Sequence, residues 1–166
     1  LKSNLVYLLD ANVFIEAARR YYAFDLAPKF WDSLIQKASR GVIESIDRVK
    51  QELAKGHDEL ADWINGDFDQ AFCSTNDTVV FECYAKLVTW VQSQGQFTEA
   101  AKADFASGAD GWLVAYAMAR ERVVVTHEVP SADIKRKVPI PNMCDAFELE
   151  YIDTFKMMRD LGVRFV

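Results

Sequence analysis

The chain has 166 residues, a length that suits one domain spanning residues 1–166, and is 51% hydrophobic with 11 Phe and 4 Trp, so a sizeable core forms without disulfides or a structural metal. Its formal net charge of −6 argues against a broad basic surface of the kind that coats duplex nucleic acid. The same acidity is compatible with a cluster of carboxylates around divalent cations, because the bound ions would reverse the local field.

Along the chain, the apolar run Leu5 to Leu9 reads as a central strand covered on both faces and ended by Asp10. Ala11 to Arg20 follows as a helix, and Pro28 to Arg40 as a second, with Pro28 in its first turn. A brief strand is predicted over Gly41 to Glu44, then a helix from Ile46 to Lys55 with Ser45 as its N-cap and Gly56 as its stop. Asp58 to Ile64 is predicted as a short helix. The periodicity of Val80, Tyr84, Leu87, Val88 and Val91 predicts a long one over Thr78 to Gln94. Thr98 to Phe105 and Asp110 to Arg120 are further helices, and Val123 to Thr126 is a strong strand. In the final third, Lys137 to Ile140 reads as a strand, Asn142 to Phe147 as a short helix, Thr154 to Leu161 as a helix and Val163 to Val166 as a last strand. Strands alternating with helices imply a three-layer α/β/α fold with a mostly parallel central sheet.

In such folds ligands bind beyond the carboxyl ends of the strands, so polar residues that directly follow strands are the informative ones. Asp10 ends the first strand, with Asn12 two residues on, and Glu128 follows the Val123 strand after Thr126 and His127. Asp110 opens the helix that feeds that strand, and Glu52 lies on the helix after the second strand, able to project sideways to the same edge. Carboxylates gathered in low-dielectric surroundings either take up protons or bind a cation. Their hard oxygens suit Mg²⁺ or Mn²⁺, one or two ions, which activate water against phosphorus and steady the leaving oxygen.

Each acid also has a structural reading. Asp10 would cap the helix starting at Ala11, Asp110 would pair with Ser107 in a capping arrangement, Glu52 would be a solvated helix residue near Lys55, and Glu128 an ordinary loop acid. Asn142 would cap the short helix that contains Asp145. The basic run Lys135-Arg136-Lys137 suits contacts to RNA phosphates or a solvated face. Cys73, Cys83 and Cys144 lack metal-ligand spacing and read as small buried side chains, which implies a reducing, cytoplasmic setting. The first apolar run is too short for a secretion signal, and no stretch is long enough to span a membrane.

Four segments together resemble the PIN-domain superfamily of metal-dependent ribonucleases. They are Val6-Tyr7-Leu8-Leu9-Asp10-Ala11-Asn12-Val13-Phe14, Val49-Lys50-Gln51-Glu52-Leu53, Ala109-Asp110-Gly111-Trp112-Leu113-Val114-Ala115-Tyr116-Ala117 and Val124-Val125-Thr126-His127-Glu128. More narrowly, Asn12 to Glu16, Asp58 to Trp63, Thr126 to Glu128 and Pro139 to Asn142 resemble the DUF4411 PIN-like subgroup. The resemblance implies Asp10, Glu52, Asp110 and Glu128 as the catalytic and metal-binding acids, supported by Asn12 and Thr126. It also implies a VapC-type toxin acting on RNA, held by an antitoxin protein and often dimeric. The sequence departs from the pattern at Glu128, where the superfamily more usually has Asp, and in a longer helical section between Asp62 and Asp104.

The reading of a different class is a catalytically degenerate PIN-like protein that binds RNA or a protein partner. A phosphatase forming an aspartyl phosphate fits less well, because Asp10-Ala11-Asn12 lacks the second Asp of Asp-x-Asp. Nicotinamide dinucleotide binding fails for want of a glycine-rich loop after the first strand.

Overall fold

A computed structural model describes residues 4–165. Strand β1 (Tyr7–Leu9) is fully buried, and α1 (Ala11–Glu16) follows Asp10 directly. The helix predicted to reach Arg20 widens instead into a π-helical turn over Ala17–Tyr21. Helix α2 (Pro28–Ser39) carries its proline in the first turn, as expected.

Strand β2 (Ile43–Ile46) lies two residues later than predicted, and the reason is Ser45. Its side chain is wholly buried and donates a 2.7 Å hydrogen bond to the Leu9 carbonyl, so the hydroxyl expected to cap a helix serves the neighbouring strand. Helix α3 (Asp47–Ala54) therefore starts without a side-chain cap. Helix α4 (Glu59–Asn65) is capped by Asp58, which accepts from the Ala61 N–H at 3.0 Å. A short strand, β3 (Phe72–Cys73), was not predicted. Helices α5 (Thr78–Ser93), α6 (Glu99–Ser107) and α7 (Asp110–Arg120) follow, the first two capped by Asp77 and Thr98.

After β4 (Val123–Val125) the chain departs from expectation again. Residues 137–139 form no strand, and α8 (Ile140–Ala146) begins directly after Pro139. Pro139 and Pro141 lack the N–H groups a ladder needs, whereas proline suits a helix start. A second unpredicted strand, β5 (Tyr151–Ile152), precedes α9 (Thr154–Asp160). Residues 163–165 are not strand, and Val166 lies outside the described residues.

The five strands run parallel in the order β3-β2-β1-β4-β5. Because every residue of β1 and β4 is buried, helices cover both faces of the sheet. Behind α1 sits an aromatic block: Phe14 meets Phe68 edge-on at 5.5 Å, and Trp63 stacks on Phe68 at 4.6 Å. The chain runs outward from β1 to β2 and β3, then returns to place β4 on the other side of β1. The switch point therefore falls between β1 and β4, and the crevice beyond their carboxyl ends is where doubly wound sheets bind ligands. Among the described residues no helix is long and apolar enough to cross a membrane.

Ser45→Ala removes a buried bond and leaves the Leu9 carbonyl short of a partner. Chemical denaturation should register a loss of about 1–3 kcal/mol relative to wild type. A loss within about 0.5 kcal/mol would show the bond to be dispensable.

Candidate active site

The register of β1 against β4 pairs Leu9 with Val125, so Asp10 and Thr126 come next, side by side. The Asp10 amide donates to the Val125 carbonyl at 3.0 Å, and the Thr126 hydroxyl donates to Asp10 Oδ2 at 3.0 Å. Asp10 is only 2% exposed. It occupies the N-cap position of α1, where its carboxylate makes no full capping hydrogen bond. Asn12 lies half-buried in the first turn of α1 and acts on Asp10 through its backbone N–H.

Glu128 is fixed at three points. Its N–H donates to Thr126 Oγ1 at 3.1 Å, its Oε1 accepts from the Ile140 N–H at 3.1 Å, and its Oε2 lies 3.2 Å from Lys137 Nζ. The extra methylene that separates Glu from Asp is what spans the gap to the start of α8. Asn142, expected to cap that helix, instead grips Ser131 through both ends of its amide, at 3.0 and 2.8 Å. That grip closes the loop between β4 and α8 over the sheet edge.

Asp110 opens α7 and makes no capping arrangement with Ser107, whose hydroxyl turns to the Asp104 carbonyl. The first turn of α7 is braced from two sides. Trp112 stacks on Tyr84 at 3.8 Å, with the Arg48 guanidinium 4.0 Å from the Trp112 ring centroid. Gly111 presses against Phe105 so closely that a Cβ would sit 2.5 Å from the ring. Glu52, on α3, accepts the Ala109 N–H at 3.2 Å and so ties down the residue before Asp110. Glu52 is otherwise exposed, as the solvated-helix reading expects.

These four carboxylates form one electrostatic unit. Burial, then repulsion from Asp110 and Glu128, drives the Asp10 carboxyl well above its ordinary range, against the pull of Thr126 and the Asn12 amide. Burial, with Glu128 and Glu52 adding to it and Lys137 opposing, pushes Asp110 up to about 6. For Lys137, burial disfavours the ammonium, but Glu128, Asp110 and Asp10 outweigh that and raise its pKa. The chemistry is that of hard oxygen donors with uncompensated negative charge, which suits a divalent cation. Among the described residues, no three Asp, Glu, His or Cys side chains converge on one point as ligands. Any ion here would have fewer than three of these side chains as ligands.

All three residues of the basic run, Lys135, Arg136 and Lys137, are exposed. Arg136 and Lys137 line a cleft of about 220 Å³ with Asp104, Phe105, Gly108 and Asp110, which sets basic groups against the acidic edge. The direct pairing of Lys137 with Glu128 was not foreseen. Its only trace in the sequence is a lysine just ahead of the stiff Val138-Pro139-Ile140-Pro141 segment.

A carboxyl with a raised folded-state pKa favours the fold below its unfolded pKa and loses that contribution as pH climbs through the folded value. For Asp110 the window runs from the ordinary 3.8 to about 6. Metal-free protein should therefore lose stability across that range, and Asp110→Asn should flatten the loss. By pH 7.5 the variant should gain on the order of 2–3 kcal/mol relative to its standing at pH 4. Denaturant titrations at pH 4, 5, 6 and 7.5 in a chelator read this out, and parallel curves for the two proteins would refute it.

A family profile described as a domain of unknown function, DUF4411, matches residues 7–165. Among curated protein sequences none matches the chain. Two solved structures share the fold at 14% sequence identity. One is VapBC2 from Rickettsia felis bound to a DNA fragment from its promoter, with a TM-score of 0.57 over 90% of this chain and 98% of the matched chain. The other is VapBC-1 from nontypeable Haemophilus influenzae, with a TM-score of 0.55 and the same coverage of both chains. With the profile running from β1 past α9 on a fold shared with VapBC chains, this protein belongs to the DUF4411 family and has a PIN-like fold.

Proposed function

We propose that the protein is a Mg²⁺- or Mn²⁺-dependent endoribonuclease, the toxin of a toxin–antitoxin pair. One observation supports the reading: beyond the carboxyl ends of β1 and β4, buried Asp10 is repelled by Asp110 and Glu128, and Asp110 by Glu128 and, more weakly, by Glu52. The motif resemblance points to RNA as substrate, and the likeness to chains of VapBC complexes supports an antitoxin partner.

In this reading Asp10 and Asp110 would hold a divalent ion, with Glu128 and Glu52 adding negative charge beside it. The bound ion supplies Lewis-acid activation of the attacking water and neutralises charge at the phosphate. Thr126 fixes Asp10 by donating to Oδ2. Glu52 sets the position of Asp110 through the Ala109 N–H, and the braced first turn of α7 keeps it there. Arg136 and Lys137, on the wall of the adjoining cleft, meet the phosphates of a strand laid across the site.

A second reading, a degenerate protein that binds without cleaving, draws on the engagement of both Glu128 oxygens by the polypeptide itself. Calorimetric titration with Mn²⁺ at pH 7.5 separates the two. The nuclease reading expects saturable binding, a rise in thermal midpoint with Mn²⁺, and cleavage of RNA that a chelator abolishes. Asp10→Asn should lower cleavage about 100-fold or more, since even outer-shell partners of a metal are worth roughly 10–100-fold. Induced expression should arrest bacterial growth for wild type and not for Asp10→Asn. Full cleavage by Asp10→Asn, or in the presence of chelator, would refute the mechanism.

A further inference from the structure

Resting on that reading, we infer that Lys137 is a tethered cation built into the site: it occupies the Glu128 side of the acidic cluster and restricts the cluster to one divalent ion on the Asp10 and Asp110 side. Lys137 Nζ lies 3.2 Å from Glu128 Oε2, and the Glu128 side chain is 12% exposed. The other Glu128 oxygen is already taken by the Ile140 N–H at 3.1 Å. Both oxygens therefore have partners from the same chain, and a metal ion at Glu128 would share them with those donors and meet the repulsion of the Lys137 ammonium beside Oε2. Among the described residues neither Asp10 nor Asp110 is in a direct ion pair, and Lys137 acts on them only at longer range, so these two remain the candidate ligands.

The placement of the lysine is not a matter of chance reach. It directly precedes Val138 and Ile140, buried to 5% and 0%, with Pro139 between them. The proline ring fixes φ there, so the segment that presents Lys137 has little freedom. At its other end the loop is held by the Asn142 grip on Ser131. The Lys137 side chain is 48% exposed, so one flank of the ammonium faces Glu128 and another stays open to the cleft and to a phosphate crossing it. A lysine is suited to this role as a compact point charge on a flexible stem.

The test is Mn²⁺ titration by calorimetry at pH 7.5 on wild type, Lys137→Met and Lys137→Arg, with thermal unfolding to verify that each is folded. The expected result is one Mn²⁺ per chain for wild type and Lys137→Arg, and two per chain for Lys137→Met. Restoration by arginine is the part a merely structural lysine would not predict. Two ions bound by wild type, or a single ion bound by Lys137→Met with unchanged affinity, overturns the tethered-cation role while leaving the metal-dependent reading in place. Binding only after Lys137 is replaced by Met overturns the one-ion assignment, because wild type would then hold no ion on the Asp10 and Asp110 side. No Mn²⁺ bound by any of the three proteins overturns both.

Discussion

The site depends first on the parallel register of β1 against β4. With Tyr7 opposite Val123 and Leu9 opposite Val125, Asp10 can only emerge beside Thr126. A slip by one residue would turn the Asp10 side chain to the opposite face of the sheet, because side chains alternate with period two. Burial of all six strand residues makes such a slip costly, since it would exchange fully packed aliphatic positions for unmatched ones. The most hydrophobic part of the molecule thereby fixes the position of its most polar part.

Around that fixed point the structure works against itself electrostatically. Asp10 and Asp110 are held in burial and mutual repulsion that the fold alone would not favour. The opposing forces are local and structural: the stacked Trp112 and Tyr84 under Arg48, the close contact of Gly111 with Phe105, and the Ala109 N–H on Glu52. Strain of this kind is characteristic of sites prepared for a ligand of opposite charge, and less so of carboxylates recruited only to brace a fold.

Much of this was legible in the sequence because it rests on signals that act locally. The apolar runs of β1 and β4 and the periodicity of α5 and α7 marked the central elements, and Asp10 and Asp110 stood at their boundaries. What escaped notice rests on partners remote in the chain. Ser45 looked like a helix cap because its true acceptor, the Leu9 carbonyl, is 36 residues away. Asn142 looked like a cap because its bonds to Ser131 form only when the loop closes. The segment at residues 137–139 carries the apolar residues of a strand, but Pro139 and Pro141 turn it into the entrance of a helix. Two-residue strands such as β3 and β5 are too short to show any alternation.

Those two short strands have a consequence for how the molecule can associate. They form the outer borders of the sheet, and each offers only two residues of backbone to a further strand. A border that brief is a poor template for zipping one sheet onto another, whether in a dimer or in a growing aggregate. Association of this chain with any other must therefore be negotiated through side chains on helices and loops, where recognition can be selective. The generic adhesiveness of exposed peptide groups contributes little.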